Sequence, residues 1–257
     1  MSRPLAGPPP PRGVVFDTDG VLLDSASVHA AAWKTAFDAC LGELAPEDGR
    51  GVPFDADAEY RRFVDGRSRH DGAEAFLTSR GIHLPPGEPG DPPGCGTVRA
   101  VAARKEAAFR DALAAEPVAA FPDVPAALAA LRARHLPCAG VSASRHARAL
   151  LAAAGLDTAL DAVVDGEDAA RLGLPGKPDP ALFLHAAGLL GLRPDTVAVV
   201  EDALAGIRAA RRGGFGLVVG LDRTPDGHGA SALRAAGADL VVPDLTALVR
   251  SLGKEGG

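Results

Sequence analysis

Short apolar runs recur along the chain at residues 13–16, 138–141, 162–164, 197–200, 217–219 and 240–242. Each is three or four residues long and lacks alternation, the pattern of a strand buried on both faces. Longer stretches between them space their apolar residues by three and four. One runs from about 27 to 41, with Val28, Trp33, Phe37 and Leu41 on one side. Others cover 123–135, where Asp123 is placed to cap, 145–154, 180–191 and 202–212. From Phe121 onward strands alternate with helices, which predicts a parallel sheet covered on both faces. The first strand has to pair with these later ones. Residues 42–118 break the alternation, with helix-like segments at 56–65, 71–80 and 97–115, no strand pattern, and a Pro/Gly loop at 84–96. They read as a helical insertion.

The fold class predicted is therefore α/β, a Rossmann-like parallel-sheet core with an inserted α-helical cap. Residues 13–26 and 119–252 form the core and 27–118 the cap, with a flexible leader at 1–12 and tail at 253–257.

Composition narrows the partners. A net charge of −6 provides no basic field to displace counterions from a nucleic acid. Nothing resembles a membrane span, and the proline-rich start lacks the apolar stretch of a signal peptide. Cys40, Cys95 and Cys138 are an odd number with no close metal-ligand spacing and read as buried or idle thiols in a reducing cytoplasm. With 4% aromatic residues the core is expected to be aliphatic. The expected partner is a small molecule, with no nucleic acid, membrane or obligate protein partner.

The chemistry is concentrated where strands stop. Asp17 and Asp19 follow the first strand and, two apart in extended chain, point to one side. Like charges that close need a cation between them or a shared proton. Ser142 and Ser144 follow the second strand, Glu201 and Asp202 follow the 197–200 run, and Lys177 is expected in the loop after the 162–164 strand. Taken singly, Ser142 is also a plausible helix cap, Lys177 a solvated loop charge, and Glu201-Asp202 the acidic first turn of a helix. Together at the carboxyl ends of one parallel sheet they mark a ligand site. Asp17, Asp19, Glu201 and Asp202 suit Mg²⁺, a hard cation that keeps room for a phosphate. Lys177 adds positive charge, and Ser142 with nearby amides offers donors to phosphoryl oxygens. Asp17 is then placed to attack phosphorus, and Asp19 to act as general acid and base.

These residues carry a resemblance. Asp-Thr-Asp-Gly-Val at 17–21, Ser142, Lys177-Pro178 and Glu201-Asp202-Ala-Leu-Ala-Gly-Ile resemble the four motifs of the haloacid dehalogenase superfamily of phosphotransferases. The likeness spans nearly the whole chain and extends to the β-phosphoglucomutase-like subfamily. It includes Asp24-Ser25, His29 and Trp33 in the hinge region and Gly66-Arg67-Ser68-Arg69 and Arg104-Lys105 in the cap. It continues at Ala143 and Ser144 in the core.

The resemblance implies Mg-dependent transfer through an aspartyl-phosphate on Asp17. It implies that Arg69 grips a distal phosphate, and that His29 and Lys105 couple cap closure to proton transfer. Two residues depart from the pattern: His146 stands where an asparagine is expected, and Arg67 replaces a small apolar residue. A sugar-phosphate mutase is favoured over a phosphatase because of Arg69, Lys105 and His29. A non-catalytic sugar-phosphate sensor is disfavoured because nucleophile, lysine and metal carboxylates are all present. A dinucleotide enzyme is disfavoured further, because no Gly-x-Gly-x-x-Gly follows a strand and opens a helix, and Gly213-Gly214-Phe215-Gly216 precedes a strand instead.

Overall fold

The computed structural model describes residues 10–44, 51–115, 117–224, 227 and 229–253. Most of the expected leader and tail therefore lies outside the described residues. Six strands form one parallel sheet: β1 (Gly13–Asp17), β2 (Cys138–Val141), β3 (Ala162–Val164), β4 (Val197–Glu201), β5 (Leu217–Leu221) and β6 (Leu240–Val242). Their order is β3-β2-β1-β4-β5-β6. The strand order reverses between β1 and β4, which pair with Phe16 opposite Val200. Asp17 and Glu201, one residue further along each strand, thus end side by side.

The chain divides into two compact units. Residues 1–23 and 120–257 form one; Asp24–Ala119 forms the other. In the first, α4 (Val124–Ala133), α5 (Ala147–Ala153), α6 (Gly166–Leu172), α7 (Ala181–Leu189), α8 (Leu204–Arg212), α9 (Ala230–Ala236) and α10 (Leu245–Ser251) alternate with the strands. Its core is largely aliphatic, built from Val15, Val141, Val199, Leu182 and Ile207. The central runs β1, β2 and β4 are buried throughout, which leaves their backbones nowhere to bond except to neighbouring strands; the edge strands β3 and β6 are only partly buried.

The second unit holds α1 (Ala26–Leu44), a π-helical turn (Tyr60–Val64), α2 (Arg69–Ser79) and α3 (Val98–Ala115). Its core is aromatic, against expectation: Phe37 meets Phe76 at 4.2 Å and Phe54 at 5.0 Å between ring centroids. No described helix is long and apolar enough to cross a membrane.

Three further expectations are corrected. Cys40 and Cys95 are not idle thiols but form a disulfide within the second unit, and Cys138 alone is a free, buried thiol. Asp123 precedes α4 but its side chain makes no cap bond there. Its carboxylate is taken instead by Arg223 at 2.9 and 3.2 Å and by the Leu245 amide at 2.7 Å. Lys177 does not directly follow a strand, because α6 intervenes between β3 and its loop.

Candidate active site

Chain register brings the core residues together. Asp17 ends β1, Glu201 ends β4, and both are buried. Lys177, from the loop before α7, reaches between them: its Nζ donates to Asp17 Oδ1 and, at 2.7 Å, to Glu201 Oε2. The Lys177 side chain is 1% exposed, so this ion triad is shielded from water. Nζ also lies 4.8 Å from the Phe183 ring centroid, which adds a cation–π contact. Glu201 Oε1 accepts the Ala203 amide at 3.1 Å, which fixes the second carboxylate oxygen.

Asp17, Glu201 and Asp202 each offer an oxygen within 4.8 Å of the others. Two glycines make that crowding possible. Gly20 has a φ of +81°, and a Cβ there would lie 2.8 Å from Asp202 Cγ. A Cβ at Gly206, on α8, would lie 2.5 Å from Glu201 Cγ. The acidic group thus sits in a cradle that side chains would fill, a donor set of hard oxygens suited to Mg²⁺.

The electrostatics point the same way. Burial, and then the Glu201 charge, push the Asp17 carboxyl well above its usual range; Lys177 opposes this without cancelling it. Burial by itself would pull Lys177 down, but the Asp17 and Glu201 carboxylates outweigh it and hold the ammonium charged. Asp17, Glu201 and Asp202 outnumber the Lys177 ammonium beside them, a surplus that a cation would relieve.

Asp19 stands apart from the acidic triad. Its Oδ2 accepts from Ser142 Oγ at 2.7 Å, and Ser142 Oγ in turn accepts the Ser144 amide at 3.0 Å. That bond takes one oxygen of Asp19, the expected fourth metal carboxylate, and ties it to the β2 loop. Ser144 Oγ accepts the His146 amide at 3.2 Å, so the loop leading into α5 is a chain of serine-to-backbone bonds. Gly166 closes it from the other side: a Cβ there would come within 2.6 Å of the Ala143 carbonyl. The Gly166 amide donates to the Ser144 carbonyl at 3.1 Å.

The residues expected in the helical insert form their own cluster. Ser25 is buried just before α1, and its carbonyl accepts the His29 amide at 3.0 Å. Lys105 Nζ is 2.9 Å from His29 Nδ1. His29 stacks on Phe109 at 4.1 Å, Lys105 lies 4.2 Å from the same ring, and Trp33 stacks on Phe37 at 4.7 Å. Gly66 and Arg67 form the turn into α2, with the Arg67 amide bonded to the Val64 carbonyl. Ser68 caps α2 through the Asp71 amide, and Arg69 opens the helix with an ion pair to Glu106 at 2.6 Å. Sequence reasoning missed Glu106, whose only signal is its place one residue after Lys105.

With this geometry established, comparison with known proteins gives the class. The sequence profile of haloacid dehalogenase-like hydrolases matches residues 11–214, and the chain belongs to that family. Within it, the chain is similar to the β-phosphoglucomutase of Mycobacterium bovis, 44% identical over 249 residues that cover 96% of this chain and 95% of that protein. It is also similar to validoxylamine A 7'-phosphate phosphatase of Streptomyces hygroscopicus, at 30% identity with 90% and 93% of the two chains covered. Among solved structures, a hydrolase from Pseudomonas syringae superposes with a TM-score of 0.73 at 25% identity, covering 95% of this chain and 98% of that one.

Proposed function

We propose that the protein is a β-phosphoglucomutase, converting β-glucose 1-phosphate to glucose 6-phosphate through the 1,6-bisphosphate. The observation that carries the reading is the 44% identity to a β-phosphoglucomutase over 96% of this chain. The site supports phosphoryl transfer through two carboxylates: Asp17, bonded to Lys177 beside Glu201, and Asp19, bonded to Ser142.

In the proposed reaction an oxygen of Asp17 attacks phosphorus and the bond from phosphorus to the donor sugar oxygen breaks. The protonated Asp19 gives its proton to that leaving oxygen. In the return step Asp19 takes the proton of the attacking hydroxyl, and the phosphoryl group leaves Asp17. Lys177 holds Asp17 in place and offsets charge on the transferring group. Asp17, Glu201 and Asp202 would hold Mg²⁺, which when bound supplies the charge neutralisation that lets an anionic phosphoryl group approach Asp17. Ser142, Ala143, Ser144 and His146 would meet the phosphoryl oxygens. Ser25, His29, Trp33, Gly66, Arg67, Arg69 and Lys105 would supply the substrate contacts of the helical unit.

The likeness to a sugar-phosphate phosphatase supports a second reading, hydrolysis at the same Asp17. One experiment separates them. Supplied with Mg²⁺, β-glucose 1-phosphate and a trace of glucose 1,6-bisphosphate, a mutase accumulates glucose 6-phosphate. Release of inorganic phosphate with no glucose 6-phosphate would assign the protein to hydrolysis.

A further inference from the structure

We propose that Arg223 is a positioning residue for Asp19, acting through the turn that follows β1. That turn is closed by backbone bonds: the Leu22 and Leu23 amides both donate to the Thr18 carbonyl, at 2.9 and 2.8 Å, and the Gly20 amide donates to the Leu23 carbonyl at 2.9 Å. Asp19 rides inside this ring. Arg223, two residues beyond β5, approaches it from outside, and its Nη2 donates to the Val21 carbonyl at 2.9 Å.

The guanidinium is itself fixed on two other sides. It forms a fork to both oxygens of Asp123, and its Cζ lies 3.9 Å from the Phe121 ring centroid. Phe121 closes the circuit, because its amide donates to the Leu22 carbonyl at 3.2 Å. One planar cation thus ties the β1 turn, the segment entering α4 and the end of β5 together. A fork, a stack and a carbonyl contact at once require arginine's shape; lysine cannot make all three. Val21, Leu22 and Leu23 are fully buried, so the turn has no water to replace the lost donor.

The test compares wild type with R223M and R223K by amide hydrogen exchange and by kinetics, the kinetic arm resting on the proposed mutase reading. In R223M, exchange at residues 20, 22 and 23 should quicken about 10- to 100-fold, the effect of losing a hydrogen bond from a charged donor, while β4 changes little. kcat should fall by about the same factor with KM nearly unchanged, since the lost order concerns the proton donor rather than substrate binding. R223K should recover little. Guanidinium ion added to R223M at sub-denaturing concentration should restore kcat where sodium chloride does not.

Unchanged exchange at residues 20–23, or a uniform rise that includes β4, would overturn the proposal. So would a loss confined to KM. If the wild type moves no phosphoryl group, the mutase reading fails while the exchange measurement still decides the role of Arg223.

Discussion

Replacing Lys177 with methionine removes the ammonium from between two buried carboxylates while keeping the length of its stem. At an effective dielectric near 20, the 2.7 Å contact with Glu201 corresponds to a gross attraction of about 6 kcal/mol. Desolvation of the ammonium offsets part of that. The net cost of breaking such a pair, which strands the remaining charges, is about 3–5 kcal/mol. The pH dependence has a definite sign. In the wild type Lys177 is raised, so its contribution is complete below its unfolded value of about 10.5 and is lost only as pH climbs through the folded one.

In K177M the burden passes to Asp17, already raised by burial and Glu201 and now without the neighbour that lowered it. A carboxyl raised on folding takes up its proton more readily in the native state. The variant should therefore lose less stability near about pH 5 than near about pH 8. The single tryptophan, Trp33, lies in the helical unit, so its fluorescence reports the wrong part of the chain. Global amide exchange in β4, measured without divalent cations, reads the core directly. Adding D17N to K177M should recover part of the loss, because one of the stranded charges is gone. A loss below about 1 kcal/mol at the higher pH, or one that grows toward acid, would refute the reasoning.

Gly20→Ala should lower Mg²⁺ affinity about 10- to 100-fold by displacing Asp202, with a further cost of about 1–2 kcal/mol for a left-handed alanine; calorimetric titration with Mg²⁺ checks it, and unchanged affinity contradicts it. Asp123→Asn tests the acid limb. Burial opposes the Asp123 charge, but the Arg223 fork and the Leu245 amide override it and hold the carboxyl below its usual range. Its contribution is present above about pH 3.9 and fades as pH falls through the lower folded value, so D123N should flatten the acid side of a stability–pH curve. Peptide mapping without reductant should recover Cys40 linked to Cys95. Cys138, its thiol pushed up to about 12 by burial and then by Asp161, should alkylate only after unfolding.

What the sequence disclosed, and what it hid, follows from how far each signal reaches along the chain. The runs at 13–16 and 197–200 were legible because a strand buried on both faces must be apolar throughout. α6, α9 and α10 were not read: seven residues give two turns, too few for a helical period to stand out, and α5, of the same length, was read from its place after the 138–141 strand. The Asp17, Lys177 and Glu201 cluster could be anticipated from polar residues placed near strand ends, although α6 stands between β3 and Lys177. The disulfide could not, since pairing needs Cα atoms within about 7 Å and nothing local brings Cys40 to Cys95 across the chain. Asp123 looked like a cap because caps are local; Arg223, a hundred residues on, competes for the same oxygens and wins.

In the proposed reaction a carboxylate oxygen of Asp17 carries the phosphoryl group. Brief reaction of the protein with Mg²⁺ and radiolabelled glucose 1,6-bisphosphate, followed by acid quench and peptide sequencing, tests this directly. The account predicts label on the peptide containing Asp17 and none in D17N, with turnover lost in that variant. Label on another residue, or undiminished turnover in D17N, would contradict it.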